Sequence, residues 1–161
     1  MNSEWNPTFR CLYAQQGLTL VELVLALVVA AILVGVASGY YLGYTKEARL
    51  AKAITDMRNI ALVLDDLAMD NALPDSLSEI GADGILDPWG NPYRYLRIQG
   101  AAGPGLGMMR KDKSLVPLNT DYDLYSMGPD GDSKPPLTAK ASYDDLIRAN
   151  NGAFFGVAED Y

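Results

Sequence analysis

Hydrophobic positions divide the chain into three regimes. From Leu18 to Tyr44 nearly every residue is apolar or glycine, a run long enough to cross a bilayer, which needs about 20 residues. From Thr45 the pattern becomes periodic. Leu50, Ile54, Met57, Ala61, Leu64 and Ala68 step by four and three, while Lys46, Glu47, Lys52, Asp56, Arg58 and Asp65 take other faces, which predicts an amphipathic helix. No proline interrupts residues 8–73, so one continuous helix is predicted over 18–70, roughly 80 Å long at 1.5 Å per residue. Pro74 ends it, and Asp75 and Ser76 offer caps for a short helical turn, 76–80.

Beyond Gly81 the helical period is lost. Residues 93–98 (Tyr-Arg-Tyr-Leu-Arg-Ile) alternate as a strand does, after the dense turn Asp87-Pro88-Trp89-Gly90-Asn91-Pro92. Further strands are expected at 106–110 and 123–127, a last strand or core plug at 154–158, and a short helix at 143–148 capped by Ser142 and ended at Asn150-Asn151-Gly152. The expected class is α+β: a long N-terminal helix, first transmembrane and then amphipathic, packed on a small C-terminal antiparallel sheet. The expected divisions are 1–17, 18–44, 45–70 and 71–161.

Within the apolar run one residue is out of place. Glu22 is a carboxylate in a segment where a charge costs a few kcal/mol, so it needs a partner or a route to the headgroups. Gly35, Gly39 and Gly43 are spaced by four, on one helix face. They suit close helix–helix packing, inexpensive glycine in a membrane, or a place where the helix loosens. Tyr40, Tyr41 and Tyr44 cluster where the span ends, as in an interfacial belt.

Composition narrows the chemistry. The 161 residues carry a net charge of −7, contain no histidine, and have one cysteine, Cys11, ahead of the apolar run. No basic stripe interleaved with aromatics exists, so nucleic acid is not an expected partner. Without His, and with Cys11 in a segment expected to be removed, Cys/His nucleophiles, thiolate zinc sites and disulfides have no residues to use. Adjacent pairs such as Asp65-Asp66 point apart on a helix, and the loop from Gly100 to Gly107 lacks the Lys-Ser/Thr of a phosphate cradle, so no enzyme is expected. The turn Gly128-Pro129-Asp130-Gly131-Asp132 brings carbonyls and two carboxylates together. Alone it reads more readily as an ordinary turn than as part of a calcium site.

The leader Met1–Gly17 inverts the order of a secretory signal, with its cleavage-type glycine before the apolar centre. Gly17-Leu18-Thr19-Leu20-Val21-Glu22 resembles the prepilin processing site of the type IV pilin-like superfamily. The stretches 87–93 and 123–131 resemble the major pseudopilins of type II secretion within it. The resemblance implies the pilin fold, cleavage between Gly17 and Leu18 by a prepilin peptidase, N-methylation of Leu18, and an assembly role for Glu22. It also implies a calcium ion held by Asp130, the Met127 carbonyl and either Asp144 or Asp145. The implied product is a helical filament of identical subunits with minor pseudopilins, raised by an inner-membrane assembly platform. Its anchor would be single-pass in a bacterial inner membrane, with the C-terminal domain in the periplasm. This chain differs at Gln15-Gln16, where the family usually carries Lys or Arg, and at Gly39, where many members have proline. The alternatives are a type IV pilin of a surface fibre, which usually closes its C-terminal region with a disulfide, and a membrane-anchored calcium-binding module that never polymerises.

Overall fold

The structure, a computed structural model, describes residues 17–100 and 107–161, with the side chains of 38–40 and 42 outside the description. Gly39 and Tyr40 therefore lie outside the described side chains, and Cys11, Gln15 and Gln16 outside the described residues. The chain divides into two compact units, Met1–Leu42 and Gly43–Tyr161.

One 50-residue helix, α1 (Leu20–Met69), contributes to both units. In the first unit it begins at a cap written in the sequence: the Thr19 hydroxyl accepts the Glu22 N–H at 3.2 Å, and the Thr19 carbonyl accepts the Leu23 N–H. Thr-x-x-Glu is the spacing of a capping box. The window Leu20–Ala37 has a mean hydropathy of 2.9 and none of it is buried within the chain. An unburied apolar helix this long has to be covered by lipid or by other chains.

In the second unit α1 turns one face onto a sheet. Ala53, Met57, Ile60, Ala61 and Leu64 are buried, with Leu50, Ile54 and Ala68 at the margins. The buried stripe is rotated slightly from the expected one, because Ala53 and Ile60 take central places beside Met57 and Leu64. Residues 77–80 form the expected short turn, entered from Ser76 through a capping box with Glu79 and closed by Gly81 at φ +69°.

The sheet is a four-stranded antiparallel meander in the order β1 (Arg94–Arg97), β2 (Tyr122–Ser126), β3 (Leu146–Ala149), β4 (Phe154–Val157). The α+β architecture and three of the expected strands are present. Two local expectations are corrected. Residues 107–110 form no strand: the Arg110 N–H goes to the Asp123 carboxylate at 2.7 Å, and the Asp112 and Leu115 backbones pair with each other across a tight turn. Residues 143–148 form no helix. Leu146-Ile147-Arg148-Ala149 is a central strand buried on both faces, so no alternation marks it, and the Ser142 hydroxyl binds the Lys134 backbone instead of a helix end. Asn150 and Asn151, both at φ 52°, and Gly152 at φ +91° turn the chain from β3 to β4.

Three tyrosine hydroxyls tie the sheet to α1 and its exit. Tyr93 donates to Asp56 at 3.3 Å, Tyr95 to the Pro74 carbonyl at 2.8 Å, and Tyr122 to Asp65 at 2.6 Å. Burial pushes all three phenols up from their ordinary value of 10.0, Tyr95 to about 12 and the other two further. Folded values above the unfolded one mean that this stabilisation is complete below pH 10 and is lost as pH climbs through 10 toward 12 and beyond. The urea midpoint of the chain is therefore expected to hold steady from pH 8 to 9.5 and to fall above 10, less steeply in Tyr122→Phe. A midpoint unchanged at pH 12 would contradict the role given to these donors.

Candidate assembly site and C-terminal loop

Gly17 and Leu18 precede α1 in exposed chain without regular secondary structure, and Glu22 sits in the helix's first turn, also exposed. Gly17, Leu18 and the Glu22 carboxylate thus lie within six consecutive residues. A cut after Gly17 would leave the new amine at Leu18, close to a helix N-terminus whose positive end favours the Glu22 charge. A Cβ built at Gly35 or Gly43 meets nothing within 4 Å, so packing inside this chain does not require glycine at either position.

The two turn motifs at 87–93 and 123–131 meet in space. Asp87, almost fully buried, accepts the Trp89 and Asn91 N–H groups at one oxygen and the Ser126 hydroxyl, at 2.6 Å, at the other. Asn91 in turn donates to the Gly128 carbonyl at 3.0 Å. At Gly128 (φ +64°) any Cβ would strike the Asp144 carbonyl, so glycine is required by conformation and by space. The Asp144 side chain lies against the same turn and accepts the Asp130 N–H at 3.3 Å.

These contacts bring Asp130 and Asp144 together and take Asp145 elsewhere. Exposed Asp130 uses Oδ1 to accept the Asp132 N–H at 2.8 Å, the ordinary work of an Asp in a turn. Asp145 is fully buried, and its Oδ2 accepts from the Arg110 guanidinium at 2.5 Å and from the Ser133 hydroxyl at 2.6 Å. Burial pushes its carboxyl up, against the pull of the Ser133 and Arg110 donors. Calcium takes six to eight hard oxygens, several of them carboxylate. Among the described residues no three Asp, Glu, His or Cys side chains gather as such a site would need. The expected donor set therefore does not fit the ion: Asp145 is removed from it by Arg110, and exposed Asp130 with half-buried Asp144 supplies only two carboxylates beside the half-buried Met127. Arg110 itself was not legible as a functional residue, being one of four consecutive charged residues, Arg110-Lys111-Asp112-Lys113, with partners 23 to 35 residues away.

Residues 12–38 match the family described as the prokaryotic N-terminal methylation motif. The chain is 30% identical over 139 residues to the type II secretion system core protein G of Pseudomonas aeruginosa, an alignment covering 73% of this chain and 85% of that relative. It is 25% identical over 141 residues to the core protein G of Pectobacterium carotovorum subsp. carotovorum, covering 74% and 79%. No solved structure matches it. The glycine-led motif, the long apolar helix and the four-stranded domain agree with that relationship, and the chain belongs to the type II secretion system core protein G family, the major pseudopilins.

Proposed function

We propose that this pseudopilin is made as a precursor cut between Gly17 and Leu18, methylated on the Leu18 nitrogen, and stored in a bacterial inner membrane with residues 45–161 on the periplasmic side. Assembly then moves the apolar half of α1 from lipid into the core of a filament, where Glu22 of one subunit meets the Leu18 amine of its neighbour. Identical subunits form the shaft, minor pseudopilins join it, and an inner-membrane platform drives it. The contact is head-to-tail and does not close, so a fibre results. The family is a structural one, and no catalytic role is assigned to any residue.

The observation that carries this reading is the unburied apolar window Leu20–Ala37, which starts two residues after Leu18. It needs a cover that the chain's own second unit is not required to supply, and it serves equally against lipid tails and against the same helix of another subunit. Glycines at 35 and 43, where an added Cβ would meet no atom of the described residues within 4 Å, support close helix–helix approach. The test is the intact mass of protein extracted from membranes of cells that carry the prepilin peptidase. The expected mass is that of residues 18–161 plus one methyl group. A mass retaining residues 1–17 in assembled fibres would overturn the proposal.

A further inference from the structure

The centre of the C-terminal loop holds a cation that belongs to the chain. The Arg110 side chain is almost entirely buried, and its planar guanidinium faces three oxygens: Asp145 Oδ2, Ser133 Oγ at 2.7 Å and the Lys134 carbonyl at 2.7 Å. The Tyr125 ring lies across it, 4.3 Å from the guanidinium carbon to the ring centroid. Both ends of the arrangement are anchored. The Arg110 N–H is held by Asp123 on β2, the strand that also carries Tyr125. The Lys134 carbonyl is aimed by Ser142, whose hydroxyl both donates to it and accepts the Lys134 N–H. One group thus ties β2, the loop at 133–134 and the entry to β3.

Charge decides which cation suits this cage. Its three acceptors include a single carboxylate, so one guanidinium neutralises it. A calcium ion would be left a charge in excess and short of the six to eight oxygens it takes. Planar geometry points the same way, because a fork of N–H donors meets separate acceptors in one plane and leaves its face for an aromatic ring, which a spherical ion does not use. We propose that the guanidinium of Arg110 is the resident cation closing residues 127–145, so that this chain's C-terminal domain keeps its shape without calcium. The inference stands apart from the processing and assembly steps proposed above, since it concerns only contacts within the second unit.

The test uses the full chain in detergent, with thermal unfolding followed by near-UV circular dichroism. For wild type, excess chelator and millimolar calcium chloride are expected to give the same melting temperature. A specific ion at about 100 times its Kd would raise it by roughly 5–10 °C. A chelator-induced fall of that size, or an equal rise with calcium, would overturn the proposal. Arg110→Gln is expected to lower the melting temperature on the order of 10 °C, since it strands a buried carboxylate. Arg110→Lys should recover little of it, because one ammonium cannot span the three acceptors. Melting within about 2 °C of wild type in Arg110→Gln would also sink the idea. If Arg110→Gln does not fold, Ser133→Ala serves in its place: removing one acceptor should cost about 2–4 °C, with no response to calcium, and a calcium-dependent recovery of that loss would count against Arg110.

Discussion

Glu22→Ala is expected to leave the protein in the inner membrane at its normal level and to abolish fibres. The substitution removes an exposed charge from the first turn of α1 and leaves the Thr19 cap in place, because that cap uses the Glu22 backbone N–H, so insertion and folding are expected to be unaffected. Removing a charge from an apolar segment should ease insertion. The loss falls on the contact between subunits. A carboxylate and an amine about 4 Å apart attract by about 4 kcal/mol at the effective dielectric of a protein surface. If only half of that survives the cost of desolvation, the concentration needed for growth rises roughly 30-fold per added subunit. Glu22→Gln separates charge from shape, since it preserves size and one acceptor but cannot form the ion pair, and it should fail as Ala does. Fibres sheared from cells and measured against the membrane pool give the readout. Normal fibre yield with Glu22→Gln would show that register is set elsewhere along α1.

The parts of this chain legible in its sequence are those where one physical demand acts on many consecutive residues. Membrane thickness imposes the run from Leu18, and the 3.6-residue period imposes the stripe around Met57 and Leu64. Half-burial imposes the alternation at Tyr93–Ile98. The failures have the opposite character. β3 is buried on both faces, so Leu146-Ile147-Arg148-Ala149 shows no alternation, and the Asp144-Asp145 before it resembles the start of a helix. Arg110 ends a stretch that reads as a strand and Ser133 and Lys134 lie in loop-like surroundings, and nothing local says that Arg110 is buried. Their meaning is set by contacts across 23 to 35 residues, and those contacts also redirect Asp145 from the metal role that resemblance implied. The cap at Thr19 is a local hydrogen bond, from the Glu22 backbone N–H to the Thr19 hydroxyl, that the reading of Glu22 as a charge passed over.

A large effect on stability is also expected at the second buried guanidinium. Arg148 points from β3 toward α1 and is 2% exposed. It grips Asp121 with both terminal nitrogens, at 2.6 and 2.9 Å, reaches Asp65 on α1 at 3.0 Å, and lies 3.9 Å from the centroid of the Tyr122 ring. The Tyr122 hydroxyl donates to the same Asp65 oxygen, so helix and sheet meet at one shared acceptor. Arg148→Met fills most of the volume and removes the charge. Asp121 and Asp65 keep some access to water, so their stranded charges are partly relieved, but the Tyr122 carbonyl and the helix–sheet bridge lose their donor. The cost is expected near the lower end of the range for a broken buried pair, about 3 kcal/mol, read as a lower urea midpoint at constant slope. Arg148→Lys should recover less than half, because a single ammonium cannot hold Asp121 with two donors and also reach Asp65. A loss under about 1 kcal/mol in Arg148→Met would mean that apolar packing of Met57, Leu64 and Leu124 alone holds the sheet to the helix. If the larger figure is found, the domain is held on α1 by a directional clamp that fixes its rotation about the helix as well as its distance. A subunit whose domain faces one direction relative to α1 presents the same surface to each neighbour along a fibre.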